Sequence, residues 1–368
     1  MTFNKRFTFS IVLLLAISFG NLKAQNQGLK PGFDKTEYIE MLKIAASVAD
    51  TPWVKTKWIP ENYKLYYRSP VSGLENRWDL WGDGKNTIVI SIRGTTPSPV
   101  SWLENFYAAM VPAKGSLKLN NHLTFNYNLS DNPRASVHVG WLMATGFMAQ
   151  GMLSKIDSSY QKGYKNIIIT GHSQGGAIAF LVTAYLRKLQ QKNELPSDIC
   201  FKTYCSAAPK PGNLYFAYDY ENSTAGGWAC NVVNSADWVP ETPLSIQTIR
   251  DFNTLNPFVN AKKTIRKQSF PKRLAMSYAY GKLKRPSSRA VKNYRKYLGK
   301  MAGKFVNKSL PEFEAPEYQY ANNYVRTGNT IVLFADEEYY LKYPDHQDNV
   351  FIHHSAGAYL YLTNKLEK

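Results

Sequence analysis

The sequence predicts an α/β protein built on a mostly parallel sheet with helices on both faces. Three observations carry this prediction. Short apolar runs rich in β-branched residues recur at 87–92, 166–170, 201–206, 231–235 and 330–335. Helical patterns separate several of them, notably over 140–155 and 175–192. A glycine-rich turn, Gly171-His172-Ser173-Gln174-Gly175-Gly176, joins one such run directly to one such helix. Runs that are apolar on both faces and alternate with helices belong to parallel strands, which need helical crossovers and are covered on both sides.

Each element has its own local reason. Residues 34–50 place Tyr38, Met41, Leu42, Ile44 and Ala45 on one helical face, with Asp34 or Thr36 as the cap. Trp53, Trp58 and Ile59 follow in a loop. Lys64–Arg68 and Asn76–Trp81 read as a hairpin, with Pro70 and Gly73 in the turn. Thr87–Ile92 is a buried strand that ends at Arg93-Gly94-Thr95-Thr96. Residues 97–137 are less regular and mix Pro97, Pro99, Trp102, Leu103, Phe106 and Tyr107 with many asparagines. They read either as an apolar lid over 97–107 or as an ordinary packed helix. A helix over Gly140–Lys155 leads to the strand Asn166–Thr170, the turn, and a helix with Ile178, Phe180, Leu181, Ala184, Tyr185 and Leu189 at helical spacing. Phe201–Ser206, Asn231–Ser235 and Thr330–Ala335 are the later strands, and Phe351–Leu366 reads as a C-terminal helix.

The N-terminus has the form of an export signal over residues 1–24. Lys5 and Arg6 are followed by an apolar run, Phe7–Phe19, too short to span a bilayer comfortably, and then by Leu22-Lys23-Ala24 before Gln25. The expected product is a secreted or periplasmic chain whose residues 25–368 form one domain. Removing residues 1–24 takes away Lys5, Arg6 and Lys23 and no acid, which lowers the net charge from +18 to +15. For an exported chain this charge argues against a nucleic-acid partner and for an anionic surface such as lipid headgroups. Cys200, Cys205 and Cys230 leave at least one thiol unpaired within the chain. A Cys200–Cys230 bridge and three buried thiols are both open. No metal-ligand spacing is visible, and no cofactor is called for.

Residues 261–308 stand apart as a basic insertion, with sixteen Lys and Arg and no Asp or Glu. Within it, 287–306 forms a helical pattern with Val291, Tyr294, Leu298, Met301 and Phe305 along one face. A basic amphipathic segment of this kind is either a helix at an anionic lipid interface or a solvated insertion packed on the domain by its apolar stripe.

The Gly-His-Ser-Gln-Gly turn has the geometry of a nucleophile elbow, a sharp strand-to-helix turn that exposes Ser173 at a helix N-terminus, where backbone N–H groups can stabilise an oxyanion. A serine nucleophile needs a base, and the base needs an orienting carboxylate. Asp237 lies just past the strand Asn231-Val232-Val233-Asn234 and before Val239-Pro240, at the sheet edge where such a site must sit. His346, His353 and His354 follow it, the last two at the start of the expected C-terminal helix. His354 is the preferred base, His353 the main rival and His346 the weaker one. Gln174, through its backbone N–H, and Thr95, in the loop after an early strand, are the candidate oxyanion donors.

Taken in order, Ile92-Arg93-Gly94-Thr95, His138-Val139-Gly140-Trp141, Gly171–Gly176, Ala208-Pro209 with Gly212-Asn213, Val233-Asn234 with Asp237, Val239 and Pro240, and His354 with Tyr359-Leu360 resemble the class 3 (fungal-type) lipases of the α/β-hydrolase superfamily. The resemblance spans about 87 to 360. It implies an α/β-hydrolase fold and hydrolysis of lipid carboxylic esters, with Ser173 as nucleophile, Asp237 as orienting acid, a C-terminal histidine as base and Thr95 as an oxyanion donor. The spacing to Tyr359 favours His354. The chain departs from the family pattern in its doubled histidine and its long basic insertion. The insertion leaves a phospholipase of anionic membranes as an alternative, and a hydrolase-fold binding protein without turnover is the other.

Overall fold

Seven strands lie side by side in the order in which the chain makes them. They are β1 (Lys64–Arg68), β2 (Trp78–Gly82), β3 (Thr87–Ile92), β4 (Asn166–His172), β5 (Cys200–Ser206), β6 (Ala229–Asn234) and β7 (Asn329–Leu333). β1, β2 and β3 pair antiparallel, and every neighbour from β3 to β7 pairs parallel. The computed structural model describes residues 28–48 and 59–367, and the chain from Pro31 onward groups into one compact unit. The export signal expected over 1–24, together with Trp53 and Trp58, lies outside the described residues.

Helix α1 (Lys35–Ser47) is capped by Asp34, whose carboxylate accepts from the Glu37 N–H at 2.8 Å. Helices α3 (Val139–Tyr160) and α4 (Gln174–Gln191) pack against each other, and α4 lies on β3, β4 and β5. Ile167 and Ile169 join the core that contains Leu142, Phe180 and Leu181. Ile168, between them, points to the opposite face, where α1 and the C-terminal helix α7 (Ala356–Lys365) lie. Burial of each such large aliphatic side chain stabilises the fold by about 1.5–3 kcal/mol.

The irregular segment 97–137 turns out to be ordered. It holds helix α2 (Pro99–Phe106), with Ser98 as its cap, and the hairpin Lys114–Asn120 with Leu123–Asn128. Met110–Pro112 and Ser136–His138 join Gly212–Asn213 and Tyr324–Val325 in a second, four-stranded sheet. These strands are two to seven residues long and lack clean alternation, which is why the sequence pattern does not announce them.

Two expected elements differ. The C-terminal helix begins at Ala356 rather than Phe351, because the Ser355 hydroxyl caps it by accepting from the Ala358 N–H at 3.2 Å. His353 and His354 therefore sit in the turn before the helix. The expected stripe in 287–306 is also shifted. Helix α5 (Phe270–Tyr294) leads into a π-helical stretch, Arg295–Met301, and then α6 (Ala302–Ser309). The wider π turn moves the packed face on by one residue. Ala302 and Val306 are buried, whereas Met301 and Phe305, expected on the packed face, are exposed. Val291 remains buried and Leu298 half-buried. The three cysteines are free thiols, without a Cys200–Cys230 bridge.

Candidate active site

The carboxyl ends of β3 to β6 lie along one edge of the sheet, where an open parallel sheet places its binding crevice. β4 delivers Ser173. This residue adopts φ 62° and ψ −132°, a left-handed conformation costly for any residue with a side chain. The strain is held in place on both sides. The Ser173 N–H donates to the Ser206 carbonyl at 2.9 Å, and its own carbonyl accepts from the Ala177 N–H at 3.1 Å. The turn needs its glycines. A Cβ added to Gly175 would lie 2.1 Å from the Ile92 carbonyl oxygen, and one on Gly171 would lie 2.3 Å from the Gly175 carbonyl carbon.

β6 delivers Asp237, which is 3% exposed. Its Oδ1 accepts from the Val239 N–H at 3.0 Å. Its Oδ2 accepts from the Tyr359 hydroxyl at 2.8 Å and faces His354 Nδ1 at 2.7 Å. Burial alone would raise this carboxyl, but the bonds from His354, Val239 and Tyr359 outweigh it and hold the group below its usual range. Because Asp237 is an ionised acceptor, His354 Nδ1 carries the proton and its Nε2 presents a lone pair.

The doubled histidine resolves by geometry. His353 turns away from Asp237, with Nε2 2.8 Å from Asp345 Oδ1 and Nδ1 2.8 Å from the Tyr339 hydroxyl. Its carbonyl accepts from Asn234 Nδ2 at 3.0 Å. Asn234 Nδ2 also donates to the Tyr339 hydroxyl at 2.8 Å, so this hydroxyl gives its proton to His353 Nδ1. His346 is exposed and accepts from the Asp348 N–H in its own turn. The structure thus brings His354, and neither rival, to Asp237.

His172, beside the serine, is a residue the sequence reasoning missed as a contributor. Its Nε2 lies 2.8 Å from the His354 carbonyl, which can only accept, so Nε2 carries the proton. Its Nδ1 then accepts from the Ser206 hydroxyl at 3.1 Å, and Ser206 in turn accepts from the Tyr38 hydroxyl at 2.7 Å. Enclosure and the neighbouring His354 ring push the His172 pKa down to about 3, which keeps this chain neutral. The position of His172 within the elbow was the available signal.

The two oxyanion candidates are linked through their side chains. Gly94 lets its loop approach the elbow, since a Cβ there would lie 2.9 Å from the His172 carbonyl oxygen. The Thr95 hydroxyl donates to Gln174 Oε1 at 2.7 Å and accepts from Asn105 Nδ2 at 2.8 Å. Asn105 Oδ1 accepts from the Trp141 indole at 3.1 Å, and the Asn105 carbonyl accepts from His138 Nε2 at 3.2 Å. Gln174 Nε2 donates to the buried Glu104, which also accepts from Asn76 Nδ2 at 3.0 Å. The Gly140 of His138-Val139-Gly140-Trp141 has a packing reason. A Cβ there would lie 2.1 Å from the Glu104 carbonyl oxygen of α2.

Above His354 lies an aromatic wall. Phe351 packs with Trp238, Trp102 and the His354 ring at centroid distances of 5.3, 6.0 and 6.0 Å. Phe106 and Trp238 are exposed beside it. Among the described residues no group of three or more His, Cys, Asp or Glu is placed to hold a metal ion. The arrangement sets a carboxylate-bound histidine and an aromatic surface beside the elbow.

The chain is similar to known proteins. A secreted mono- and diacylglycerol lipase of Fusarium solani is 29% identical over 140 residues, covering 36% of this chain and 39% of that protein. A triacylglycerol lipase of Ricinus communis is 22% identical over 244 residues, covering 54% of this chain and 44% of that protein. The chain thus spans less than half the length of these relatives. Lipase II from Rhizopus niveus aligns in structure with a TM-score of 0.42 and 23% identity, over 57% of this chain and 74% of that one. The model of the class 3 lipases matches residues 89–246. The matched segment carries the Thr95 loop, the elbow and Asp237, and in it the chain is similar to the class 3 lipases.

Proposed function

We propose that this chain is an exported serine hydrolase of lipid carboxylic esters that works through an acyl-enzyme. The observation that carries the reading is the 2.7 Å contact of His354 Nδ1 with buried Asp237, on a histidine whose backbone is tied to the strained elbow. With Nδ1 committed to Asp237, His354 Nε2 takes the Ser173 proton as Oγ attacks the ester carbonyl. The oxyanion is held by the Gln174 N–H, in the first turn of α4, and by donors of Thr95. His354 then protonates the leaving alcohol. Water, deprotonated by the same nitrogen, releases the acid. Asp237 keeps the imidazole in the tautomer the reaction needs and balances its charge. The aromatic wall of Trp102, Trp238 and Phe351 supplies the surface for an acyl chain.

Fluorophosphonate labelling with Ser173→Ala as control, together with turnover of p-nitrophenyl esters, tests this reading. Labelling and turnover should both depend on Ser173. Their absence in the wild type leaves a hydrolase-fold binding protein. Export through residues 1–24 predicts a mature N-terminus at Gln25, read by N-terminal sequencing of the exported protein.

The substrate class we favour includes anionic phospholipid, on the strength of one feature. The first half of α5 is exposed on all sides and interleaves Phe270, Leu274 and Tyr278 with Lys272, Arg273 and Lys282. Its continuation α6 packs on α2, the helix that flanks the site. Such an arm would hold an anionic lipid surface beside the aromatic wall. Binding to vesicles of anionic and of neutral lipid, at low and high salt, tests it.

A further inference from the structure

Glu104 is fully buried, sits on α2 and is untouched by the mechanism above. Among the described residues its side-chain partners are two amides, Asn76 Nδ2 on Oε1 and Gln174 Nε2 on Oε2. Burial pushes this carboxyl well above its usual range, which favours the uncharged acid. An acid has a proton to give, and Gln174 is positioned to receive it.

The proton directions around Gln174 can be worked out from the outside in. The Trp141 indole can only donate, so it fixes Oδ1 of Asn105 toward itself and Nδ2 toward Thr95. The Thr95 hydroxyl therefore accepts from Asn105 and retains one proton to donate. Between this hydroxyl and Glu104 stands the Gln174 amide, placed with Nε2 toward Glu104 and Oε1 toward Thr95; its two ends occupy nearly the same space when exchanged, so the proton on Glu104 decides which way round it sits. If Glu104 only accepts, the Gln174 NH2 faces it. Gln174 Oε1 then takes the Thr95 proton, and the hydroxyl has nothing left for an oxyanion. If Glu104 donates, its proton goes to Gln174 Oε1 and the NH2 turns to Thr95 Oγ1. Thr95 then accepts from two amides, and its own proton is free to point at the reacting carbonyl.

We propose that Glu104 is a positioning residue for the oxyanion hole: as an acid it turns the Gln174 amide and so releases the Thr95 hydroxyl proton to the oxyanion. The proposal rests on Ser173 acting as the nucleophile. It also gives Gln174 two tasks, its backbone N–H in the hole and its side chain as the relay. α2 thereby serves the oxyanion hole from behind, through Glu104 and Asn105 together.

The test is ester turnover by the full chain carrying Glu104→Gln, Glu104→Met and Thr95→Val, singly and combined. Glu104→Gln offers a donor to Gln174 and an acceptor to Asn76, as the acid does, and should keep kcat within about threefold. Glu104→Met has the size but no donor. It should lower kcat on the order of tenfold with KM nearly unchanged. Thr95→Val should lower kcat on the order of 100-fold, the usual effect of losing one oxyanion donor. The decisive arm is the pair. Glu104→Met should cost nothing further in kcat on top of Thr95→Val, since Glu104 acts only through that hydroxyl. An equal loss in both backgrounds would overturn the relay, as would Glu104→Gln behaving like Glu104→Met. If Glu104→Met does not fold, Glu104→Ala removes the same donor and is read against Thr95→Val in the same way. A wild type without Ser173-dependent turnover sinks the catalytic reading and this one with it, whereas an active wild type with the wrong coupling sinks the relay alone.

Discussion

His172 Nε2 donates to the backbone carbonyl of His354 across 2.8 Å, so the residue before the serine holds the main chain of the histidine. The bond joins positions 182 residues apart. It ties the elbow of β4 to the turn ahead of α7. His172→Phe keeps the ring volume and removes the donor. It should lower kcat by roughly tenfold, equivalent to about 1.4 kcal/mol, with a small change in KM. Steady-state kinetics on a soluble ester measures this, and an unchanged kcat would mean that the histidine backbone needs no such tether.

The same histidine makes stability depend on pH, together with His138. Burial lowers His138 to about 3, and its ring stacks on Trp141 with centroids 3.7 Å apart. Both groups have folded pKa values below their unfolded ones, near 6.5. Between about 3 and 6.5 the unfolded chain binds more protons than the folded one. The stability these groups contribute is therefore complete above 6.5 and declines as pH falls. The slope is up to about 1.4 kcal/mol per pH unit for each histidine. Urea unfolding between pH 7 and 4.5 should show it, and His138→Gln should remove about half of the histidine share.

Asp237 and Tyr359 allow a graded test of the orienting carboxylate. Asp237→Asn exchanges an acceptor for a donor at His354 Nδ1 and favours the wrong tautomer. A loss of roughly 10⁴-fold in kcat is expected. Tyr359→Phe removes one of two groups on Oδ2 and should cost about tenfold or less. A Tyr359→Phe effect as large as that of Asp237→Asn would contradict this order.

The paired histidines should separate by phenotype. His354→Ala should abolish Ser173-dependent turnover. His353→Phe breaks the bonds to Tyr339 and Asp345 and should lower stability by about 1–3 kcal/mol while turnover remains measurable. Paired measurements of kcat and denaturant midpoint on both variants decide it.

Helix α2 is expected to stay in place during turnover. Swinging it away would break the Glu104–Gln174 and Asn105–Thr95 bonds and open the tight contact at Gly140. Activity on a medium-chain ester should therefore saturate smoothly through the substrate's solubility limit. A sharp rise at that limit would instead assign 97–107 to a moving lid.

The sequence by itself determined the parallel sheet, the elbow and the place of Asp237, because each is written locally. β-branched runs bounded by helical patterns make buried strands. The close approach of Gly171 and Gly175 to neighbouring backbone admits no side chain. The strand ahead of Asp237 carries it to the sheet edge whatever the rest of the chain does. Tertiary structure decided what local pattern cannot encode. His353 and His354 are chemically identical neighbours, and only the Ser355 cap and the turn before it aim one at Asp237 and the other at Asp345. The link from Glu104 through Gln174 to Thr95 joins positions 70 and 79 residues apart and leaves no periodic trace. The π turn at Arg295–Met301 shifted the packed face of the basic arm by one residue, an offset that depends on packing against the domain and not on propensity.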